Sequence, residues 1–93
     1  MARLVWKYAL DKVLNEVQAP EGAEWLAAQD QNGRIQAWAI VDTEKAHVAH
    51  TLHVVGTGVH HVPAGKHIGT VQQDRYVWHI FVESPAPAAS AVV

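Results

Sequence analysis

Apolar and polar residues alternate with a period of two along most of this chain. Leu4, Trp6, Tyr8 and Leu10 fall on one side and Arg3, Val5, Lys7 and Ala9 on the other, the pattern of a half-buried strand with Trp6 and Tyr8 turned inward. A helix from Leu4 to Val17 competes with this reading, because Leu4, Tyr8, Asp11 and Asn15 recur at helical spacing. That face carries two polar residues, and the β-rich surroundings favour the strand. A second short strand is expected over Val13 to Gln18. Ala19-Pro20-Glu21-Gly22 then supplies a turn, with proline presetting φ at its second position and glycine accepting a positive φ.

Glu24 to Asp30 and Arg34 to Asp42 flank Gln31-Asn32-Gly33. Asn-Gly is the strongest short hairpin signal, because both residues tolerate left-handed dihedrals. On the second arm Ile35, Ala37, Ala39 and Val41 share one face and Gln36, Trp38 and Ile40 the other, so this strand is expected to be central and covered on both sides. After the polar Thr43-Glu44-Lys45 link, Val48, His50, Leu52 and Val54 alternate with His47, Ala49, Thr51 and His53 up to Gly56-Thr57-Gly58. Val59 to Lys66 reads as loop around Pro63-Ala64-Gly65. Ile68 to Val71 and Tyr76 to Val82 are expected to pair across a turn at Gln72-Gln73-Asp74, with the last strand buried on both faces. The prediction is a mostly β chain: one antiparallel β-sheet domain over residues 1–83, a small sandwich or partly open barrel of six to seven short strands. Residues 84–93, with two prolines and small side chains, are read as a mobile tail.

Composition narrows the function classes. The chain has 93 residues, 49% of them hydrophobic, and no cysteine, which fits one packed domain and removes disulfides and thiolate chemistry. No apolar run approaches the roughly 18 residues of a membrane helix, and the charges near the N-terminus do not suit a cleaved secretory signal. A cytoplasmic location without membrane contact is expected. Seven scattered Lys and Arg residues and a net charge of −2 form no basic stripe for duplex nucleic acid. Protonating all seven histidines would carry the formal charge from −2 to +5 as pH falls through ~6.5.

Three groups could carry chemistry. His47, His50 and His53 have the spacing of ligands on a helix, but on a strand His50 points away from the others, and His47 and His53 lie roughly 20 Å apart. Cross-strand polar residues, with His50 satisfied by a backbone carbonyl, are the simpler reading. His60, His61 and His67 bracket a turn, and a loop can fold three imidazoles around zinc or copper, although no carboxylate is at hand to orient them. Gly56, Thr57 and Gly58 could form an anion nest of backbone N–H groups, with His60, Lys66 and Arg75 adding positive charge for a nucleotide phosphate. The competing reading is a glycine-relieved bend at a strand end. Ser84 and Ser90 stand beside no histidine and acid, so no enzyme and no cofactor are expected. Trp6, Trp38 and Trp78 are read as core; Trp25 follows a turn, where it could anchor another chain, although core placement is the simpler reading for it too.

A set of short motifs resembles a small family of unknown function found in bacteriophages and prophages. It runs from Trp6-Lys7-Tyr8 through Pro20-Glu21-Gly22-Ala23, Gln31-Asn32-Gly33, Trp38-Ala39 and Val41-Asp42. It continues with Gly56-Thr57-Gly58, His67-Ile68-Gly69-Thr70-Val71-Gln72 and Val77-Trp78-His79-Ile80-Phe81. The chain departs from the pattern at Asp11, where a proline is common, and at Val59, where a histidine commonly follows the GTG directly. The resemblance implies a compact β-rich phage accessory protein, read first as binding a host defence or regulatory component through a β-sheet edge or the Gly56 to His67 loop. A homo-oligomer is expected because sheet edges in a small chain need covering. A small-ligand binder for a nucleotide or metal at Gly56 to His67, and a structural part of a phage particle, are the alternatives.

Overall fold

The computed structural model describes residues 2–83, so the segment read as a tail lies outside the described residues. Seven strands follow one another: β1 (Arg3–Leu10), β2 (Leu14–Pro20), β3 (Glu24–Gln31), β4 (Arg34–Asp42), β5 (His47–Gly56), β6 (Lys66–Gln73) and β7 (Tyr76–Val82). All pairings are antiparallel, in a three-stranded sheet of order β1-β4-β3 and a four-stranded sheet of order β2-β5-β7-β6. The two sheets face one another as a thin, open sandwich with extents of 43 × 33 × 16 Å. The mostly β expectation holds, and the helix over Leu4 to Val17 does not form.

Alternation decides what each sheet turns inward. Ile35, Ala37, Ala39 and Val41 of β4 are buried against Leu52 and Val54 of β5 and Ile80 and Val82 of β7, with Leu10, Ala28, Ile68 and Val71 closing the cluster. Trp6 and Tyr8 pack on this core from β1 while remaining partly exposed. Trp25 is the best buried tryptophan, at 6% exposure, which settles its place in the core. β4 is central as expected, although its second face is only partly covered: Gln36 is buried, whereas Trp38 and Ile40 are half-buried. Lys7 lies across this face, its Nζ donating to Gln31 Oε1 at 2.8 Å. β7 corrects the expectation of burial on both faces. Ile80 and Val82 are buried, but Val77, His79 and Phe81 are only half so, because among the described residues no second sheet covers that side.

Local chemistry explains the turns and moves some of them. Asn32 (φ 54°) and Gly33 (φ 85°) both take left-handed dihedrals, the two-residue hairpin turn with Gln31 opposite Arg34. β2 runs on to Pro20, which is therefore the first turn residue and not the second; its carbonyl accepts the Ala23 N–H at 3.2 Å. The last hairpin turns at Asp74-Arg75, one residue beyond the expected turn, because Asp74 adopts φ 57°, which aspartate tolerates. Asn15 ties the link between β1 and β2: its Oδ1 accepts from Lys12 N–H at 3.1 Å and its Nδ2 donates to Lys12 O at 2.7 Å.

One side of the sandwich is closed without a backbone ladder, the hydrogen bond across it being a side-chain one from Gln73 Nε2 to Asp30 Oδ1 at 2.8 Å. β3 and β6 are both edge strands and both carry an irregularity, between Trp25 and Ala27 and between His67 and Gly69; such bulges bend and twist an edge. The bent strands meet where Gly69 faces Ala28, and a Cβ at position 69 would stand 2.9 Å from the Ala28 carbonyl oxygen. Glycine is required there by close backbone approach.

Tyr8 Oη and Trp78 Nε1 are buried with no hydrogen-bond partner among the described residues. Burial raises the Tyr8 pKa above its ordinary 10.0, so the folded chain prefers the neutral phenol. The associated stability is present below pH ~10 and is lost as pH rises through the raised value, because the unfolded chain ionises first. A Tyr8→Phe chain is expected to be as stable at neutral pH, or more so by up to about 1 kcal/mol, and to lose less stability above pH ~10. Urea titrations of both chains across that range check this; a clear loss at neutral pH would show that the hydroxyl has a partner.

Candidate functional site

The glycine-rich loop that the sequence singles out is internally satisfied. Gly56 ends β5 opposite Trp78, and its N–H donates to His60 Nδ1 at 3.0 Å. Thr57 N–H donates to Val77 O at 3.2 Å and Val59 N–H to Gly56 O at 3.2 Å, with Gly58 at φ 72° making the turn. The N–H groups of an anion nest at Gly56 and Thr57 are thus already engaged. Lys66 and Arg75 do not converge on this loop together: Lys66 opens β6 opposite Val82, and Arg75 lies in the turn beyond Gln73, about 23 Å away along the strand. Arg75 instead lies over the neighbouring Tyr76 ring, 5.7 Å from its centroid.

The three loop histidines are also apart in role. His60 caps Gly56 through Nδ1, His61 is exposed in the loop, and His67 belongs to β6. No group of three His, Cys, Asp or Glu side chains among the described residues is arranged to hold a metal ion. His50 matches its expected backbone partner: its Nε2 lies 3.2 Å from Pro20 O. Trp25 Nε1–H donates to His50 Nδ1 at 3.4 Å, so Nε2 carries the proton and the ring is neutral. This pair floors a cavity of about 230 Å³ whose wall includes Glu24, Lys66, Val82 and Glu83.

The outer face of the four-stranded sheet holds a constellation that sequence reasoning did not assemble. Strand register places His53, Phe81 and His67 in one row across β5, β7 and β6, and Val55, His79 and Thr70 in the next. Thr57 Oγ1 donates to Val77 O at 3.2 Å. It can then only accept from His79 Nε2, 2.8 Å away. His79 Nδ1 therefore accepts from Thr70 Oγ1 at 3.2 Å, and Thr70 in turn accepts from His67 Nε2 at 3.0 Å. Each hydroxyl has one proton, so with both imidazoles neutral the donor direction is set along the whole chain. Its open end is His67 Nδ1, an acceptor. Beside it His53 Nε2 meets Glu83 Oε2 at 2.6 Å, and the His67 ring stands edge-on to Phe81 at 5.3 Å between centroids.

Chemically, Thr70 and His79 have the distance of a nucleophile and its base, but the group orienting His79 is the Thr57 hydroxyl. A hydroxyl cannot stabilise an imidazolium as a carboxylate does. The relay is better suited to holding two imidazoles in defined tautomers on an open sheet face. The adjoining loop exposes Val59 at 73% and Val62 at 72%, on either side of His60 and His61. That loop is fixed at both ends, by the His60 cap and by Gly65, where a Cβ would stand 2.9 Å from the Val82 carbonyl carbon.

Compared with known proteins, the chain matches the family model of a domain of unknown function, DUF7352, over residues 1–90. No curated protein and no solved structure matches it. Among the described residues no helix is long and apolar enough to cross a membrane.

Proposed function

The chain belongs to the DUF7352 family of domains of unknown function, and from that premise we propose that it is a non-enzymatic binding module. Its docking surface is the Val59–Val62 loop together with the imidazole-lined outer face of the four-stranded sheet. The observation that carries this reading is the pair of valines, each nearly three-quarters exposed on a loop held at both ends. Apolar side chains kept in water on an anchored loop fit a surface that is covered by a partner. The resemblance to phage and prophage proteins supplies the finer reading: a phage-encoded accessory protein acting in the host cytoplasm on a defence or regulatory protein.

The experiment is affinity capture from host lysate with the wild-type chain and with Val59→Asp/Val62→Asp. Both side chains are exposed, so the double variant is expected to keep its thermal midpoint within about 2 °C while losing the captured protein. Capture of the same protein by both chains, or by neither, would count against the loop. A small-ligand reading draws on the 230 Å³ cavity with Trp25 in its floor and Lys66 in its wall. Thermal unfolding with nucleotides and with Zn²⁺ separates it, since a ligand at ~100 times its dissociation constant adds about 2.7 kcal/mol.

A further inference from the structure

We infer that the edge of β1 is a self-association surface on which a second copy of this chain adds its own β1, antiparallel, with the two-fold axis at Trp6. Sheet edges are the places where a small β protein must be covered or guarded. Of the four edge strands, β3 and β6 are bulged and packed on each other, and β2 ends in proline. β1 is different. Its eight residues pair with β4 in unbroken register from Arg3–Asp42 to Leu10–Ile35, with no bulge, glycine or proline. Leu4 and Val5 are 51% and 57% exposed on it. Lys7, the charge best placed to guard the middle of the edge, is instead drawn back across β4 to Gln31.

The hydrogen-bond phase shows which groups are free. Thr43 N–H donates to Ala2 O at 2.9 Å, so Ala2–Thr43 is a hydrogen-bonded pair, and by alternation Leu4, Trp6, Tyr8 and Leu10 face β4. The N–H and C=O groups of Arg3, Val5, Lys7 and Ala9 therefore point away from the sheet. A symmetric antiparallel partner must pair these odd residues with one another. An axis at Val5 would set Arg3 against the second copy's Lys7, and an axis at Lys7 would set Lys7 against itself; both place like charges opposite one another, which destabilises a cross-strand pair. With the axis at Trp6, Val5 exchanges both bonds with the second copy's Lys7, and Arg3 with its Ala9. Trp6 meets its own copy in the closer, non-hydrogen-bonded spacing, and the half-exposed Leu4 gains Tyr8. Two three-stranded sheets then become one continuous sheet.

The surface is separate from the Val59–Val62 loop, so the two proposals fail independently. Sedimentation of the full chain over a range of concentrations is expected to show a monomer–dimer equilibrium, with slowed amide exchange at Arg3, Val5, Lys7 and Ala9 as dimer forms. Val5→Pro removes an outward N–H and spares the ladder to β4, as proline is tolerated on a strand edge; it is expected to leave only monomer. Val5→Lys places the introduced lysine against the second copy's Lys7 and is expected to weaken the dimer about tenfold. Val5→Lys/Lys7→Glu puts opposite charges there and is expected to restore it. A wild-type chain that stays monomeric overturns the proposal. So does a dimer that survives Val5→Pro without protection of the odd-numbered amides, and failure of the double variant to recover overturns the register.

Discussion

An Ile80→Ala chain is expected to lose about 2–5 kcal/mol of stability, enough to remove a large part of the roughly 5–14 kcal/mol available to a domain of this length. Ile80 is fully buried on a strand flanked by β5 and β6, opposite Val54 and Gly69. Both neighbours are fixed by backbone ladders. The sheets therefore cannot collapse into the space left by the deleted atoms, and a cavity term adds to the lost transfer energy. The contrast with the surface is instructive. The Arg34–Asp11 pair has good distances of 2.8 and 2.9 Å to the two carboxylate oxygens, but both side chains are more than half exposed, where such pairs contribute about 0–1 kcal/mol. Leu4→Ala, at a half-exposed position, serves as a control and should cost well under the Ile80 change in the same urea titration. Equal losses at the two positions would mean that the inward face of β7 is not the core.

The sequence and the structure agree most closely where a local rule acts alone. Asn32-Gly33 is legible as a turn because the turn needs two left-handed residues and few residue types supply them. β4 is legible as central because Trp38 and Ile40 make even its outer side apolar. The sorting of strands into two sheets is not legible, since β1 pairs with β4 and β2 with β5 across long stretches of chain and no local signal chooses between them. The bulges in β3 and β6 are equally hidden. They arise where two bent edges meet at Gly69 and Ala28, and only the glycine hints at them.

The outer-face relay escapes the sequence for a related reason. A turn at Gln72-Gln73-Asp74 sets Val71 opposite Arg75, which would put His79 beside His67 rather than Thr70. The actual turn at Asp74-Arg75 and the bulge near Ile68 together bring Thr70 between the two imidazoles. A single residue in αL thus decides whether a hydrogen-bonded chain exists. The loop misleads in the opposite direction, because counting its imidazoles suggests a metal group. Counting backbone donors points elsewhere: a strand end at Gly56 needs an acceptor, and His60 supplies it.

Gly65→Ala is the second large effect to be expected, about 3 kcal/mol or more when backbone strain and overpacking are taken together. Position 65 has φ 141°, where a side chain is strained. In addition, the new Cβ would overlap the Val82 carbonyl oxygen and approach Glu83 Cα at 3.2 Å. Both are backbone atoms at the end of β7, so the strain cannot be relieved by a side-chain rotation; overpacking of this kind alone costs about 1–3 kcal/mol. The first pair of the β6–β7 ladder, Lys66–Val82, is expected to open, and the Glu83 carboxylate to leave His53 Nε2. Gly58→Ala tests a left-handed dihedral without a close contact. Gly58 also has a positive φ of 72°, but no described atom lies within 4 Å of the point where the methyl group would stand, so the change should cost only about 1 kcal/mol. The difference between the two urea midpoints then measures the close approach of the loop to β7 together with the greater dihedral strain at φ 141°. Equal costs would mean that the Val59–Val62 loop is not held at its second end, and the exposed valines would lose the rigid presentation on which the docking surface depends.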